Sequence, residues 1–175
     1  MTSYRVFMSC PAGIEPFLRA EVLEILGGQR RSLEETRTGV ALEASWMEIM
    51  RLNLYSRLAQ RVLIEVGHGF YRAEHDLYLS CMEIRWEDWM TNRHTFKVEV
   101  TAQHSPLTSL NFAGLKIKDA VADRFRDQTG ARPDVDTRFP HVRIHAHLMT
   151  DRFVVYLDTS GEPLFKRGWR VDKGD

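Results

Sequence analysis

Arg61-Val62-Leu63-Ile64-Glu65-Val66 places Val62, Ile64 and Val66 on one side of an extended chain and Arg61 and Glu65 on the other. Alternation with a period of two marks a half-buried strand. Its place in the chain decides the fold of the first half, because five elements precede it. Working back, Ser45 with Glu48 three residues later forms a capping box, which opens a helix through Ile49, Met50 and Leu52 to about position 55. Positions 40–43 read as a strand and 29–35 as a less regular one, with Gly39 near the turn between them. Ile14, Phe17, Leu18, Val22, Ile25 and Leu26 recur at helical spacing. Gly27-Gly28 ends that helix, since glycine takes a positive φ without a Cβ penalty. Positions 4–9 supply the first strand.

The order is strand, helix, strand, strand, helix, strand, which is the ferredoxin-like βαββαβ pattern. That scaffold hosts many activities, so function has to be argued from a site. Arg61 and Asn53 are the interior polar candidates in this half, and both read as structural, because no base, metal or phosphate-cradling loop accompanies them.

Working forward, Gly67-His68-Gly69 reads as a hinge, and it lacks the third glycine of a dinucleotide fingerprint. Leu77, Cys81 and Ile84 fall at helical spacing within 73–84, and Trp86 and Trp89 read as core. Positions 95–101 alternate as a strand and 102–111 form a polar loop. A helix over 112–128 buries Ala113, Ile117, Ala120, Val121 and Phe125, with Lys118 at the margin of that arc and Arg124 inside it. Gly130 closes the helix. Val142, Ile144, Ala146 and Leu148 then oppose Arg143, His145 and His147, and 153–157 return as the second arm of a hairpin. The histidine row has no carboxylate or thiolate at companion spacing along the chain, so it reads as solvent-facing or RNA-facing and not as a metal site.

Lysine plus arginine equals aspartate plus glutamate at 24 each, so any affinity for a polyanion has to be local. Cys10 and Cys81 are too few for a disulfide framework, which fits a reducing cytoplasm. No apolar run approaches membrane-spanning length and no leader precedes the first strand, so neither membrane nor secretion is expected. One such local cluster lies in Asp158-Thr159-Ser160-Gly161-Glu162-Pro163-Leu164-Phe165-Lys166-Arg167-Gly168-Trp169-Arg170, where three cations bracket an aromatic beyond an enforced turn. Such a cluster suits phosphate contacts beside a stacking surface.

Lys118-Asp119-Ala120, Arg132-Pro133-Asp134-Val135-Asp136, and above all Asp158-Thr159-Ser160-Gly161 leading to Leu164, Lys166-Arg167-Gly168 and Trp169-Arg170, resemble the THUMP domain, an RNA-binding module of tRNA and rRNA modification enzymes. Gly13-Ile14-Glu15, Leu26-Gly27, Ser56-Arg57 and Arg61-Val62-Leu63 extend the likeness to the N-terminal region of bacterial THUMP-containing large-subunit rRNA guanine-N2 methyltransferases. The resemblance implies an α+β chain: a ferredoxin-like domain over 1–67, an α/β THUMP domain over 68–160, and a linker segment over 161–175.

In that family an S-adenosylmethionine-dependent catalytic domain comes next in the chain. This sequence carries no glycine-rich cofactor loop and no Pro-Pro pair. The resemblance therefore implies an RNA-binding fragment without catalytic, cofactor or metal residues, which positions rRNA for a domain beyond Asp175. Its expected RNA contacts are Lys118, Lys166, Arg167 and Arg170, then Arg124 and Arg143, with Trp169 either stacking on a base or packing under the linker. A tRNA-modifying relative and a protein-interaction module that docks a catalytic partner remain alternatives.

Overall fold

The computed structural model describes residues 2–28 and 32–167. The chain forms two compact units, one built from the residues up to Glu65 together with the segment returning from Asp158, the other from Val66–Leu157. The division read from the sequence placed 158–160 with the second domain and treated 161–175 as a linker. Here 158–167 group with the first unit.

In the first unit, β1 (Ser3–Ser9), α1 (Glu15–Ile25), β2 (Leu33–Thr36), β3 (Gly39–Ser45), α2 (Trp46–Tyr55) and the start of β4 (Arg61–Phe70) occur in the expected order. Its strands lie β2-β3-β1-β4 and every pair is antiparallel, with Val6 opposite both Leu42 and Ile64. Val6, Met8, Val40, Leu42, Val62 and Ile64 are buried, as are Leu18 and Val22 of α1 and Ile49 and Leu52 of α2. The capping box forms as read: the Ser45 hydroxyl accepts from the Glu48 N–H, and the Glu48 carboxylate accepts from the Ser45 N–H at 2.8 Å. Pro16 sits in the first turn of α1, where its missing N–H costs nothing, and Gly27 ends the helix at φ +85°. Of the irregular strand read at 29–35, positions 29–31 lie outside the described residues.

In the second unit β4 continues from Val66. Beyond it come α3 (Glu74–Glu83), a 3₁₀ turn at Trp86–Asp88, β5 (Phe96–Ala102), α4 (Leu110–Thr129), β6 (Val142–Leu148) and β7 (Arg152–Asp158). The order is β4-β7-β6-β5. β5 and β6 are parallel, as their connection through α4 requires, whereas β6 and β7 form the expected antiparallel hairpin. Trp86 is fully buried in the core as read and donates its indole N–H to the Cys81 carbonyl at 2.8 Å, whereas Trp89 is partly buried and packs against that core.

The hinge reading of Gly67-His68-Gly69 is overturned, because all three residues lie inside β4. A Cβ on Gly67 would come within 2.5 Å of Ile84 Cδ1, and one on Gly69 within 3.1 Å of the Phe153 ring. These glycines permit close approach within a strand and do not break it. The helix α4 also starts earlier than the periodicity indicates, because Ser109 caps it by accepting from the Phe112 N–H at 3.2 Å.

Candidate functional site

Each unit contributes one polar arrangement. In the first, the segment after β7 folds back onto the residues around α2 and the start of β4. The Thr159 N–H donates to the Val62 carbonyl at 3.0 Å, the Leu164 N–H to the Gln60 carbonyl at 2.9 Å, and the Val62 N–H to Ser160 Oγ at 2.9 Å. Arg61 ion-pairs with the fully buried Asp158 side chain and also donates to the Gly161 carbonyl. The Asn53 amide nitrogen donates to Thr159 Oγ1 at 2.8 Å, and its oxygen accepts from Ser160 Oγ at 2.7 Å. Arg167 spreads its guanidinium over the Asn53, Leu54 and Ser56 carbonyls, the last acceptors of α2. A cation at that end of a helix meets both the free carbonyls and the negative pole of the dipole.

Two of the residues expected to contact RNA therefore have protein partners here, Arg167 on α2 and Lys166 on Glu162 at 3.2 Å. Trp169 and Arg170 lie outside the described residues. Arg124 is likewise engaged: it chelates Glu87 through Nε at 2.8 Å and Nη2 at 2.7 Å, and donates to the Met82 carbonyl at 2.6 Å. That fork holds the Glu87 carboxyl down to about 2, mainly through the Arg124 hydrogen bonds. Arg143 lies partly buried on β6, on the same strand side as His145 and His147. His145 Nδ1 is 3.3 Å from Glu99, which faces it across the β5–β6 register, and burial lowers the His147 pKa. Spacing along one strand could not reveal that carboxylate, because it comes from the neighbouring strand. Among the described residues no group of three or more His, Cys, Asp or Glu side chains is placed to hold a metal ion.

Lys118 is different. It stands partly exposed on α4, and no described carboxylate pairs with it. It lines a groove of about 420 Å³ between the first half of α4 and β5, with Lys97, Val98, Val100, Leu110, Asn111, Gly114, Leu115, Val135 and Thr137 as the other walls. Gly114 sets the narrow approach, since a Cβ there would touch Val100 Cγ2 at 3.3 Å. The far rim is fixed by Asp136, whose carboxylate accepts from the Phe139 and Arg138 N–H groups at 2.9 Å and is held below its usual pKa by them. Leu115 and Val135 are each 47% exposed, so the apolar walls are open to a ligand. Sequence reading found Lys118 but not the groove, whose walls come from three separate stretches of chain.

Family models match this chain in two places: the RlmL ferredoxin-like domain over residues 5–63 and the THUMP domain over residues 71–158. Among curated relatives, the ribosomal RNA large subunit methyltransferase K/L of Syntrophotalea carbinolica is 36% identical over 96% of this chain. The enzyme of the same name from Pseudomonas aeruginosa is 34% identical over 98% of it. The chain spans 23% of the length of each. Among solved structures, a predicted N6-adenine-specific DNA methylase from Listeria monocytogenes superposes with a TM-score of 0.86 at 25% identity, over all of this chain and 45% of that one. A 4-thiouridine synthetase solved with RNA and ATP shares the fold alone, with a TM-score of 0.54 at 9% identity over 90% of this chain and 41% of that one. With about half of its residues matched by that model, the chain belongs to the THUMP domain family, its THUMP module preceded by a ferredoxin-like domain of the RlmL type.

Proposed function

We propose that the chain binds structured RNA on behalf of a methyltransferase, holding a ribosomal RNA so that a catalytic domain of the kind named in its relatives reaches the N2 atom of a guanine. The observation that carries this reading is Lys118, a cation without a described carboxylate partner at the wall of an open groove inside the THUMP match. A neutral chain attracts RNA only through local cations of this kind. Lys118 and Arg143 are the proposed phosphate contacts of the second unit, with Lys166 as a further contact from the first. Arg124 and Arg167 act by holding Glu87 and the end of α2 in place. In this reading S-adenosylmethionine is the cofactor of the catalytic domain and not a ligand of the two units.

A protein-docking role is the second reading, favoured by Met47, Met50 and Leu54, which are 60%, 52% and 62% exposed along one stripe of α2. Fluorescence anisotropy with a hairpin RNA, a tRNA and a DNA duplex, each titrated against salt, separates the two. With about three phosphates neutralised, log K falls against log salt with a slope near −2 to −3. Equal, salt-independent affinity for all three nucleic acids, or no binding at low salt, would refute the RNA reading.

A further inference from the structure

β5 is the last strand of its sheet, and its outer side is only partly used. The Phe96 N–H donates outward to the Asp134 carbonyl at 3.0 Å, and its carbonyl accepts from the Asp136 N–H at 3.1 Å. The period of two then points the peptide groups of Val98 and Val100 the same way. Among the described residues no hydrogen bond continues that ladder past Asp136, because the chain turns off through Thr137 and the Asp136-bonded loop. Val98 and Val100 both line the groove described above, so we infer that their outward groups face it. A row of main-chain donors and acceptors thus runs between apolar walls, Leu110 and Leu115 on one side and Val135 on the other, with the Lys118 ammonium at the margin.

We propose that this groove receives an unpaired nucleobase of the bound RNA, which hydrogen-bonds through its Watson–Crick edge to the main chain of Val98 and Val100 while the adjoining phosphate meets Lys118. The inference rests on the RNA reading above and sharpens it. The chemistry fits on three counts. A flat apolar ring with a polar edge matches apolar walls that end on peptide groups. The ligand carries negative charge beside the base, which complements Lys118. The volume is that of a small-molecule site, of order 300–1,000 Å³, so it takes a base splayed out of a loop and not a paired stem. Main-chain recognition leaves no side-chain signature in the sequence. An extended peptide could also pair with a strand edge, but it would draw on the cation only where it carries a carboxylate, whereas every nucleotide carries its phosphate.

The test uses the whole chain with a stem-loop RNA, the same stem-loop with an abasic loop, and the stem as a blunt duplex. The stem-loop should bind about tenfold more tightly than its abasic form, the scale of one or two net hydrogen bonds of about 1 kcal/mol each. The Val98 and Val100 amide resonances should shift with the stem-loop and stay in place with the abasic form. Val100→Pro removes an outward N–H at an edge position where proline is tolerated, and Leu115→Glu changes an exposed wall if the first variant does not fold. Either should abolish the preference for the loop. Equal affinity for stem-loop and abasic RNA, or loss of neither preference nor shift in the variants, overturns the proposal while leaving RNA binding intact. Shifts at Val98 and Val100 with poly-glutamate and not with the stem-loop would make the groove a peptide site and likewise overturn it. If none of the three RNAs binds at low salt, the RNA reading itself falls and the groove assignment with it.

Discussion

Asn53 and Ser160 stand 107 positions apart, and the Ser160 hydroxyl donates to the Asn53 side-chain oxygen at 2.7 Å. The same amide donates to Thr159, so one residue of α2 grips both hydroxyls of the returning segment. Replacing Asn53 with Ala takes one partner from each hydroxyl, while Thr159 Oγ1 still donates to the Val62 carbonyl and Ser160 Oγ still accepts from the Val62 N–H. Each hydrogen bond lost costs about 0.5–1.5 kcal/mol. Asn53→Ala should therefore shift the urea midpoint downward with an unchanged m-value, read by circular dichroism.

Arg167→Ala withdraws the cation from the last carbonyls of α2. Hydrogen bonds to charged groups contribute about 1.5–3 kcal/mol, reduced where water can replace the donor. A lower melting temperature with an unchanged salt slope for RNA binding is the expected pair of results. A flatter slope would instead place Arg167 on the RNA backbone.

Lys118→Ala removes one cation from an exposed helix face, with no described carboxylate left behind. Stability should change by less than about 0.5 kcal/mol. RNA affinity should fall and the salt slope flatten by about one unit, measured by fluorescence anisotropy.

The Glu87–Arg124 fork gives a pH signature. The folded-state pKa of Glu87 is lowered from 4.5 to about 2, so the unfolded chain takes up its proton first as pH falls. The stabilisation is complete above about pH 4.5 and disappears as pH drops through about 2. Melting temperatures of Glu87→Gln and of the unaltered protein should differ most near neutrality and converge across that acid window.

Burial alone pushes the Cys81 thiol up to about 12. A thiolate is the reactive form, so Cys81 should resist iodoacetamide in the native state and react on unfolding. Peptide mapping after timed alkylation, with and without urea, reads both rates.

Much of this architecture is legible in the sequence, because periodicity reports on one element at a time. Ser45 with Glu48, Gly27 and Gly130 each announce a helix end through local chemistry, and the structure has all three. Gly67 and Gly69 misled for the same reason. Seen locally they break a strand, and only Ile84 and Phe153, brought in from elsewhere, show why the strand needs them bare. Arg124 and Arg167 also look like exposed cations until Glu87 and the α2 carbonyls are in place. Leu110 and Leu115 acquire meaning only beside β5.

The first unit holds its sequence in two pieces, with the whole of Val66–Leu157 between them. On the ribosome, strands β1 to β3 and both helices of that unit emerge well before Asp158, Ser160 and Arg167. Until those residues arrive, Arg61 has no Asp158, and the α2 carbonyls at Asn53, Leu54 and Ser56 lack their guanidinium cap. The nascent chain therefore completes its opening domain only after the THUMP module, and a stop codon placed directly after that module would release a protein whose older half is the unfinished one.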